Sequence, residues 1–250
     1  MVQSVDRALQ ILTQFGNEAR ELGVTELSQS LGLSKSATHA LVKTLEQRGF
    51  LAQNPDNSRY RLGLKVYELG TAYISGTDLP YAARVPASKL AAEFGAAVHV
   101  AIYAGGMAVF ILRTDAKLNT MMFGRMGATI PAHATAVGKV LLADLPPDEQ
   151  ERYLAEELHA LTKKTLTDPA MLREELKQIS ARGYSIDNEE SLDGNACVAA
   201  PIRVANGRVA AAISLTGAAP HILGEQHERI VAAVTAAAKE VSRTMGYLRA

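Results

Sequence analysis

The sequence contains few of the residues from which disulfides, cysteine metal sites and membrane spans are built. Cysteine occurs once, at Cys197, tryptophan is absent, and aromatic residues make up 5% of the chain. A single cysteine excludes an internal disulfide and a zinc site made of several cysteines. No apolar run approaches the ~18 residues that a membrane-spanning helix needs, and the N-terminal residues lack the pattern of a secretory signal. These absences predict a soluble, cytoplasmic protein without a membrane partner, a metal or a cofactor.

Charges of the two signs balance, and apolar residues are plentiful. Lysine and arginine number 26, as do aspartate and glutamate, so the formal net charge is zero. This balance excludes a uniformly basic nucleic-acid-binding protein but permits a local basic patch. A hydrophobic fraction of 48% supplies a packed core and excludes disorder throughout the chain. A length of 250 residues fits one large domain or two modest ones.

The composition changes along the chain and predicts two domains. Polar-faced helical segments and turn signals fill residues 1–63, whereas the chain beyond residue 80 is rich in alanine and valine. Glycine, aspartate and proline punctuate the stretch between these parts. We predict an N-terminal domain over residues 1–63, a linker helix over 64–79 and a second domain over 80–250.

Three helices followed by a β-hairpin are predicted in the N-terminal domain. Polar residues stand at the N-cap positions of three apolar-periodic segments, at Ser4, Thr25 and Ser34. The predicted inward face of the third helix is Ala37, Ala40, Leu41, Thr44 and Leu45. Two short strands then flank a turn at residues 54–57. This order of elements describes a winged helix-turn-helix, whose third helix is sized to enter the major groove of DNA.

Polar and basic residues near the start of the third helix are the candidates for reading DNA. They are Ser34, Lys35, Ser36, Thr38, His39 and Lys43. Residues 35–65 contain six basic residues (Lys35, Lys43, Arg48, Arg59, Arg61 and Lys65) and two acidic ones (Glu46 and Asp56), so their local charge is +4. Phosphate binding requires such a local excess. The alternative is a protein-interaction module, because winged helices also bind proteins.

Hairpins interspersed with helices characterise the second domain. Gly105-Gly106 and Asn206-Gly207 each separate two alternating segments, which predicts two β-hairpins. A long amphipathic helix is predicted over residues 224–245. The fold class is therefore α+β with an antiparallel sheet, and a doubly wound fold is excluded.

Four features of the second domain are candidates for a binding site. Residues 136–140 lack the glycine and hydroxyl residue of a phosphate-binding loop, but the helix that begins there offers free N–H groups to an anion or simply packs closely. Asp187 ends a strand, where a turn or cap role is the alternative. Ser214 and Thr216 share one face of a strand, either beside a ligand or facing solvent. Cys197 is expected to be a buried thiol, since its sequence neighbours include no base, although His133 or His99 could approach it in space.

Several stretches in order along the chain resemble the IclR family of bacterial transcriptional regulators. They are residues 4–12, 27–36, 60–63, 131–139, 187–190 and 197–201. The resemblance implies that the helix after Ser34 reads operator DNA, that Ser4 and Arg7 lie near phosphates, and that the wing, with Arg59 and Arg61, contacts the backbone or minor groove. Many members carry arginine where this chain has Ala40, so the operator sequence does not carry over.

The resemblance also implies a GAF-like effector-binding domain. The residues that carry over to its pocket are Ile130, Ala136, Val137, Asp187, Asn195, Cys197, Ser214 and Thr216. The expected effector is a carboxylate or aromatic acid, so Asp187 is predicted to be protonated or bonded to a ligand hydroxyl or water. The expected protein is a dimeric or tetrameric repressor and not an enzyme. The alternative is a small hydrolase that uses Cys197 or Asp187 behind a protein-binding winged head.

Overall fold

The computed structural model describes residues 2–15, 21–75, 78–115 and 126–248, which group into two compact units that divide between positions 77 and 78. The first unit contains helices α1 (Gln3–Gln14), α2 (Val24–Ser30), α3 (Lys35–Gln47) and α4 (Leu64–Ser75), with strands β1 (Leu51–Gln53) and β2 (Tyr60–Leu62). Strands β1 and β2 pair antiparallel and form the wing. Three helices and a wing therefore follow one another as the hydrophobic pattern predicted.

The second unit is built on one antiparallel sheet. Its strands are β3 (Ala97–Ala104), β4 (Met107–Thr114), β5 (Thr129–Pro131), β6 (Ser185–Asn188), β7 (Asn195–Arg203) and β8 (Val209–Ala218). Its helices are α5 (Leu79–Phe94), α6 (Ala136–Ala143), α7 (Pro147–Leu154), α8 (Pro169–Arg182), α9 (Ala219–Leu223) and α10 (His227–Thr244), and a 3-10 turn covers Ala132–Ala134. The strand order is β5-β4-β3-β8-β7-β6, so the predicted α+β class with an antiparallel sheet is confirmed.

Helices cover both faces of this sheet. Helices α5 and α10 pack on one face, where Val98, Ile213 and Leu215 point. Helices α6 and α8 lie on the other side, which receives Cys197, Ala199 and Ala212. Because alternate residues of β8 point to opposite faces and helices cover both, the six consecutive residues 211–216 of that strand are buried. Among the described helices, none combines the length and apolarity needed to cross a lipid bilayer.

Two predicted helix caps are wrong. Helix α1 begins after Val2, so Ser4 lies inside its first turn. Helix α2 begins after Gly23, and Thr25 is its second residue; the Glu26 carboxylate instead accepts the Gly23 N–H at 2.7 Å. A carboxylate three residues into a helix satisfies a free N–H group as well as a capping hydroxyl does. Ser34 is the N-cap of α3 as predicted, since its Oγ accepts the Ala37 N–H.

Candidate functional site

The first turns of α3 present polar side chains to solvent. Lys35, Ser36 and His39 are exposed. The Ser34 cap fixes this helix end, and Ser34 and Ser36 share a hydrogen bond of 3.2 Å. The exposed set fits the N-terminal part of a recognition helix, which contacts base edges in the major groove.

Thr38 does not belong to that exposed set, although the sequence analysis placed it there. Its side chain is completely buried, and its hydroxyl donates to the Ser34 carbonyl oxygen at 3.0 Å. The buried stripe of α3 is Thr38, Val42 and Leu45, whereas the predicted inward residues Ala40 and Thr44 are exposed. A threonine can be buried in a helix because its hydroxyl bonds to the carbonyl oxygen one turn earlier.

Lys43 lies at the junction of α3 and the wing. Its Nζ donates to Glu46 Oε2 at 2.7 Å and to Gln53 Oε1 at 3.5 Å, and it lies 5.9 Å from the centre of the Tyr60 ring. The hydrogen bond that Lys43 donates to the Glu46 carboxylate raises the pKa of Lys43 above its ordinary value. Lys43 is thus already partnered within the unit.

The wing is bonded to the segment that precedes α2. Both oxygens of Glu21 accept hydrogen bonds from wing amides, from Asn54 Nδ2 at 3.0 Å and from Asn57 Nδ2 at 2.8 Å. Leu22 and Tyr60 exchange two backbone hydrogen bonds of 2.9 Å. Arg59 Nη2 donates to Glu26 at 2.7 and 2.9 Å and to the Glu21 carbonyl oxygen at 3.1 Å. The hydrogen bonds from Asn57 and Asn54 lower the pKa of Glu21, and those from the Gly23 N–H and from Arg59 lower the pKa of Glu26.

The remaining predicted DNA-binding residues lie outside this network. Arg61 is exposed on β2. Ser4 is exposed on α1, and Arg7 is half-buried there. Helix α1 also exposes an apolar stripe made of Val2, Val5 and Leu9, each more than half exposed.

In the second unit, the sheet aligns three of the predicted pocket residues. Asp187 on β6 pairs with Cys197 on β7, and Cys197 pairs with Thr216 on β8. The next row on this face runs from Ser185 through Ala199 and Ser214 to His99 on β3.

Ala136 and Val137 are the first residues of α6 and share an apolar cluster with Cys197. The structure therefore brings Ala136, Val137, Asp187, Cys197, Ser214 and Thr216 to one side of the sheet. It buries Ser214 and Thr216, so the solvent-facing alternative is wrong.

Two other predicted pocket residues, Ile130 and Asn195, lie at the edge of the sheet and at the end of a strand. Ile130 is on β5, the edge strand farthest from β6, with four strands between it and Asp187. It belongs to the same apolar cluster as Val137. Asn195 begins β7 and is half-buried, and its Nδ2 donates to Cys197 Sγ at 3.8 Å. The structure does not place Ile130 beside Asp187.

The carboxylate of Asp187 is fully engaged by its own loop. Oδ1 accepts the N–H groups of Glu190 at 2.7 Å and Ser191 at 3.3 Å, and Oδ2 accepts the Ser191 hydroxyl at 2.6 Å. Burial raises the pKa of Asp187, although these hydrogen bonds oppose the shift. The loop thus supplies the partners that the sequence analysis expected from a ligand or water, and contact of Asp187 with an effector stays a prediction.

Cys197 lies in surroundings that disfavour its thiolate. The Thr216 hydroxyl donates to Cys197 Sγ at 3.2 Å and lies 3.3 Å from His99 Nδ1. Burial raises the pKa of the thiol well above its ordinary value, and the charge of Asp187 adds to this. His133, one of two bases considered for Cys197, instead bonds Tyr153 at 2.7 Å and the His159 carbonyl oxygen at 3.0 Å. A cysteine nucleophile needs the thiolate form, which this site opposes.

Sequence reasoning missed a buried ion pair between α6 and the loop that follows β6. Lys139 on α6 is 1% exposed, and its Nζ donates to both Glu190 oxygens at 2.6 and 2.7 Å. Burial raises the pKa of Glu190, and Lys139 opposes that shift. The Thr165 hydroxyl donates to the Glu190 carbonyl oxygen at 2.6 Å and holds the same loop. Lys139 follows three apolar or small residues within a helix, but its partner lies 51 positions away. No local pattern could therefore have identified the pair.

His99, the other base considered for Cys197, does lie among the pocket residues, next to Thr216. It occupies one position of an alternating strand, and its ring lies 5.2 Å from that of Phe110. A polar residue at an inward position of such a strand was the available signal. Among the residues that the structure describes, no three histidine, cysteine, aspartate or glutamate side chains are arranged to hold a metal ion.

Two family models match the chain. One, described as the IclR helix-turn-helix domain, matches residues 4–55, and another, described as the bacterial transcriptional regulator IclR C-terminal domain, matches residues 71–243. The HTH-type transcriptional regulator XynR of Escherichia coli K12 is 36% identical over 99% of this chain and 98% of its own length. The transcriptional repressor IclR of the same strain is 32% identical over 99% of this chain and 92% of its own length.

A solved structure shares the fold. It is an IclR homologue from Microbacterium hydrocarbonoxydans in complex with 4-hydroxybenzoate, which is 22% identical with a TM-score of 0.87 and covers 97% of this chain and 98% of its own. The predicted resemblance is confirmed by the two models and the two relatives. The chain belongs to the IclR family of bacterial transcriptional regulators.

Proposed function

We propose that this regulator is a repressor that binds double-stranded operator DNA through the N-terminal end of α3. The observation that carries the proposal is the exposed set Lys35, Ser36 and His39 on a helix whose first turn is fixed by its Ser34 cap. Arg61 adds a cation on the neighbouring wing strand. Major-groove reading uses polar side chains at the start of such a helix, and cations beside it bind the phosphates.

Two copies of the chain would be needed to read two half-sites. The stripe Val2, Val5 and Leu9 on α1 gives a self-complementary apolar surface of the kind that a twofold dimer buries. Its residues recur at helical spacing on one side of α1. We infer a homodimer of the DNA-binding units, with a tetramer as a further step of assembly.

The second unit is proposed to bind a small organic acid. Helix α6 begins with Ala136, Val137 and Gly138, whose N–H groups are the free donors of a helix start. Ser214 is a buried residue of β8, a strand against which α6 packs. The helix end suits a carboxylate, and the hydroxyl suits a second polar group. An aromatic acid such as the one bound by the Microbacterium homologue fits these requirements.

The DNA part of the proposal is tested by the salt dependence of binding. Lys35→Ala should reduce the slope of log affinity against log salt by about 0.9 per bound protomer, because on random-sequence DNA, where no specific base contact forms, this exposed cation binds a phosphate. Lys177→Ala is the matched control, since Lys177 is an exposed lysine of the second unit. Filter binding to random-sequence duplex DNA gives both slopes. Binding that is insensitive to salt, or equal slopes for the two variants, would contradict this assignment.

The effector part is tested by a thermal-shift screen of aromatic, hydroxy and 2-oxo acids. A ligand at about 100 times its dissociation constant should add ~2.7 kcal/mol to the free energy of unfolding. Ser214→Ala should remove this gain. Ser242→Ala should keep it, because Ser242 is a buried serine of α10 on the other side of the sheet. A gain that survives in Ser214→Ala would place the acid elsewhere. The effector acts by binding one conformation of the protein more tightly than another that differs from it in affinity for the operator. It can change operator affinity only by as much as its own affinities for these two conformations differ.

A further inference from the structure

Three carboxylates, of Glu21, Glu26 and Asp56, lie on or beside the wing, which carries the cations Arg59 and Arg61. The hydrogen bonds described above keep the pKa of Glu21 and of Glu26 low, and the charges of Arg61 and Arg59 lower the pKa of Glu21 further. Asp56 is exposed at the turn of the hairpin. The charge of +4 counts only residues 35–65 of the sequence. In the folded unit, the carboxylates of Glu21 and Glu26 lie against the wing and offset part of this positive charge.

This acidic group faces the same groove as a DNA-reading residue. Glu26, Arg59, Asn57 and His39 line one open groove of about 510 Å³ between α2, α3 and the wing. A phosphate that approached Arg59 through this groove would meet the carboxylate of Glu26, which already contacts Arg59 Nη2 through both oxygens. The Glu26 carboxylate offsets the charge of the Arg59 guanidinium in this groove, which weakens the attraction of Arg59 for a phosphate.

The same contacts fix the position of the wing. Arg59 joins the N-terminal turn of α2 to β2 through Glu26, and to the preceding segment through the Glu21 carbonyl oxygen. Glu21 accepts hydrogen bonds from the side-chain amides of Asn54 and Asn57, and Leu22 and Tyr60 form an isolated antiparallel bridge beside the two-stranded wing. The two wing amides are thus used inside the unit and are not presented to base edges.

We propose that Arg59 positions the wing through Glu26 and Glu21 and does not bind the phosphate backbone, which on this wing falls to Arg61. The inference rests on the proposed DNA-binding function. Arg61 differs from Arg59 in that it is exposed and that, among the described residues, it interacts with Glu21 through its charge alone, whereas Arg59 hydrogen-bonds to the Glu26 carboxylate. The wing therefore contributes one phosphate contact, from its second strand, and not two.

The test compares Arg59→Ala with Arg61→Ala in the full chain. Affinity for random-sequence duplex DNA is measured over a range of salt concentrations, and amide hydrogen exchange is measured at Leu22 and Tyr60. Arg61→Ala should lower the salt slope by about 0.9 per bound protomer and leave the exchange rates unchanged. Arg59→Ala should keep the wild-type slope, lower affinity about two- to fivefold at every salt concentration, and accelerate exchange at both amides.

The outcomes separate the two proposals. A slope for Arg59→Ala that falls as in Arg61→Ala overturns the positioning role, and so does unchanged exchange at Leu22 and Tyr60. If the wild-type protein does not bind duplex DNA even at low salt, the proposed function fails, while the exchange measurement still decides whether Arg59 holds the wing. A second variant, Glu26→Gln, tests the same contact if Arg59→Ala fails to fold. It removes the charge that pairs with Arg59 but keeps an acceptor for the Gly23 N–H. It should accelerate exchange at Tyr60 in the same way.

Discussion

Ser185 and Ser191 are buried serines of the β6 region that differ in how their hydroxyl groups are satisfied. The Ser191 hydroxyl donates to Asp187 Oδ2 at 2.6 Å. The Ser185 hydroxyl is fully buried and has no partner in the part of the chain that the structure describes. A buried hydroxyl without a partner has lost its hydrogen bonds to water and gained none.

Ser185→Ala should therefore stabilise the protein, by about 1 kcal/mol in the free energy of unfolding measured with urea. Ser191→Ala is the matched comparison and should destabilise by ~1–3 kcal/mol, because it leaves a buried carboxylate oxygen without its donor. Loss of stability in Ser185→Ala would show that its hydroxyl has a partner in solution, such as an ordered water.

At the scale of elements, the close approach of α6 to the 3-10 turn depends on Gly138. A Cβ built at Gly138 would lie 2.2 Å from the Ala132 carbonyl oxygen and 2.5 Å from its Cα, both backbone atoms. The helix and the turn would have to separate to admit it. Since α6 carries Ala136, Val137 and Lys139, that separation would disturb both the proposed pocket and the buried ion pair.

Gly138→Ala should lower the free energy of unfolding by roughly 1–3 kcal/mol, against the usual preference of a helix for alanine. Gly70→Ala in α4 is the control, because Gly70 is exposed and its added Cβ meets nothing within 4 Å. That control should gain about 0.5–1 kcal/mol. The same sign in both variants, measured by urea denaturation, would contradict the close packing of α6.

Local patterns predicted the elements well and their tertiary surroundings poorly. Turn glycines indicated both hairpins of the sheet, which are confirmed as β3–β4 and β7–β8. The pairing of β3 with β8, which joins the hairpins into one sheet, links residues more than 100 positions apart and leaves no local pattern. Alternation showed that Ser214 and Thr216 share a face. It could not show that α6 covers that face.

The errors in the first unit have a similar cause. Thr38 was assigned to DNA because it is polar, yet its hydroxyl is satisfied inside α3 by the Ser34 carbonyl oxygen. The local charge of +4 counted Arg59 without its ion-pair partner Glu26, because Glu26 lies 33 positions earlier. Polarity shows which groups need a partner, and only the fold shows where the partner is.

For the whole molecule, the titration of His133 links stability to pH. Burial lowers the pKa of His133 below its ordinary value of 6.5. The His133 ring donates from Nε2 to the His159 carbonyl oxygen, so Nδ1 accepts from the Tyr153 hydroxyl and the ring is neutral. The unfolded chain binds a proton at this residue more readily than the folded one does. Its contribution to stability is therefore complete above about pH 6.5 and is lost as the pH falls toward the lower folded pKa.

The melting temperature of the wild type should therefore fall relative to that of His133→Gln as the pH is lowered from 7.5 to 5.5. The comparison with this variant removes the effect of Asp187 and Glu190, whose raised pKa values act in the opposite direction and are present in both proteins. His39→Gln serves as a control, because His39 is exposed. Parallel pH curves for the wild type and His133→Gln would show that His133 is not held neutral.

The separation of wing contacts from reading contacts has a consequence for how such a regulator acquires new targets. Glu21, Glu26, Asn54, Asn57 and Arg59 hold the wing, and none of them lies on the solvent face of α3. Lys35, His39 and Ala40 occupy that face without supporting the core or the wing. Substitutions at these three positions can therefore change the preferred DNA sequence with little loss in the free energy of unfolding. Evolution or protein engineering can thus direct the first unit to another operator without altering the contacts that hold its fold together.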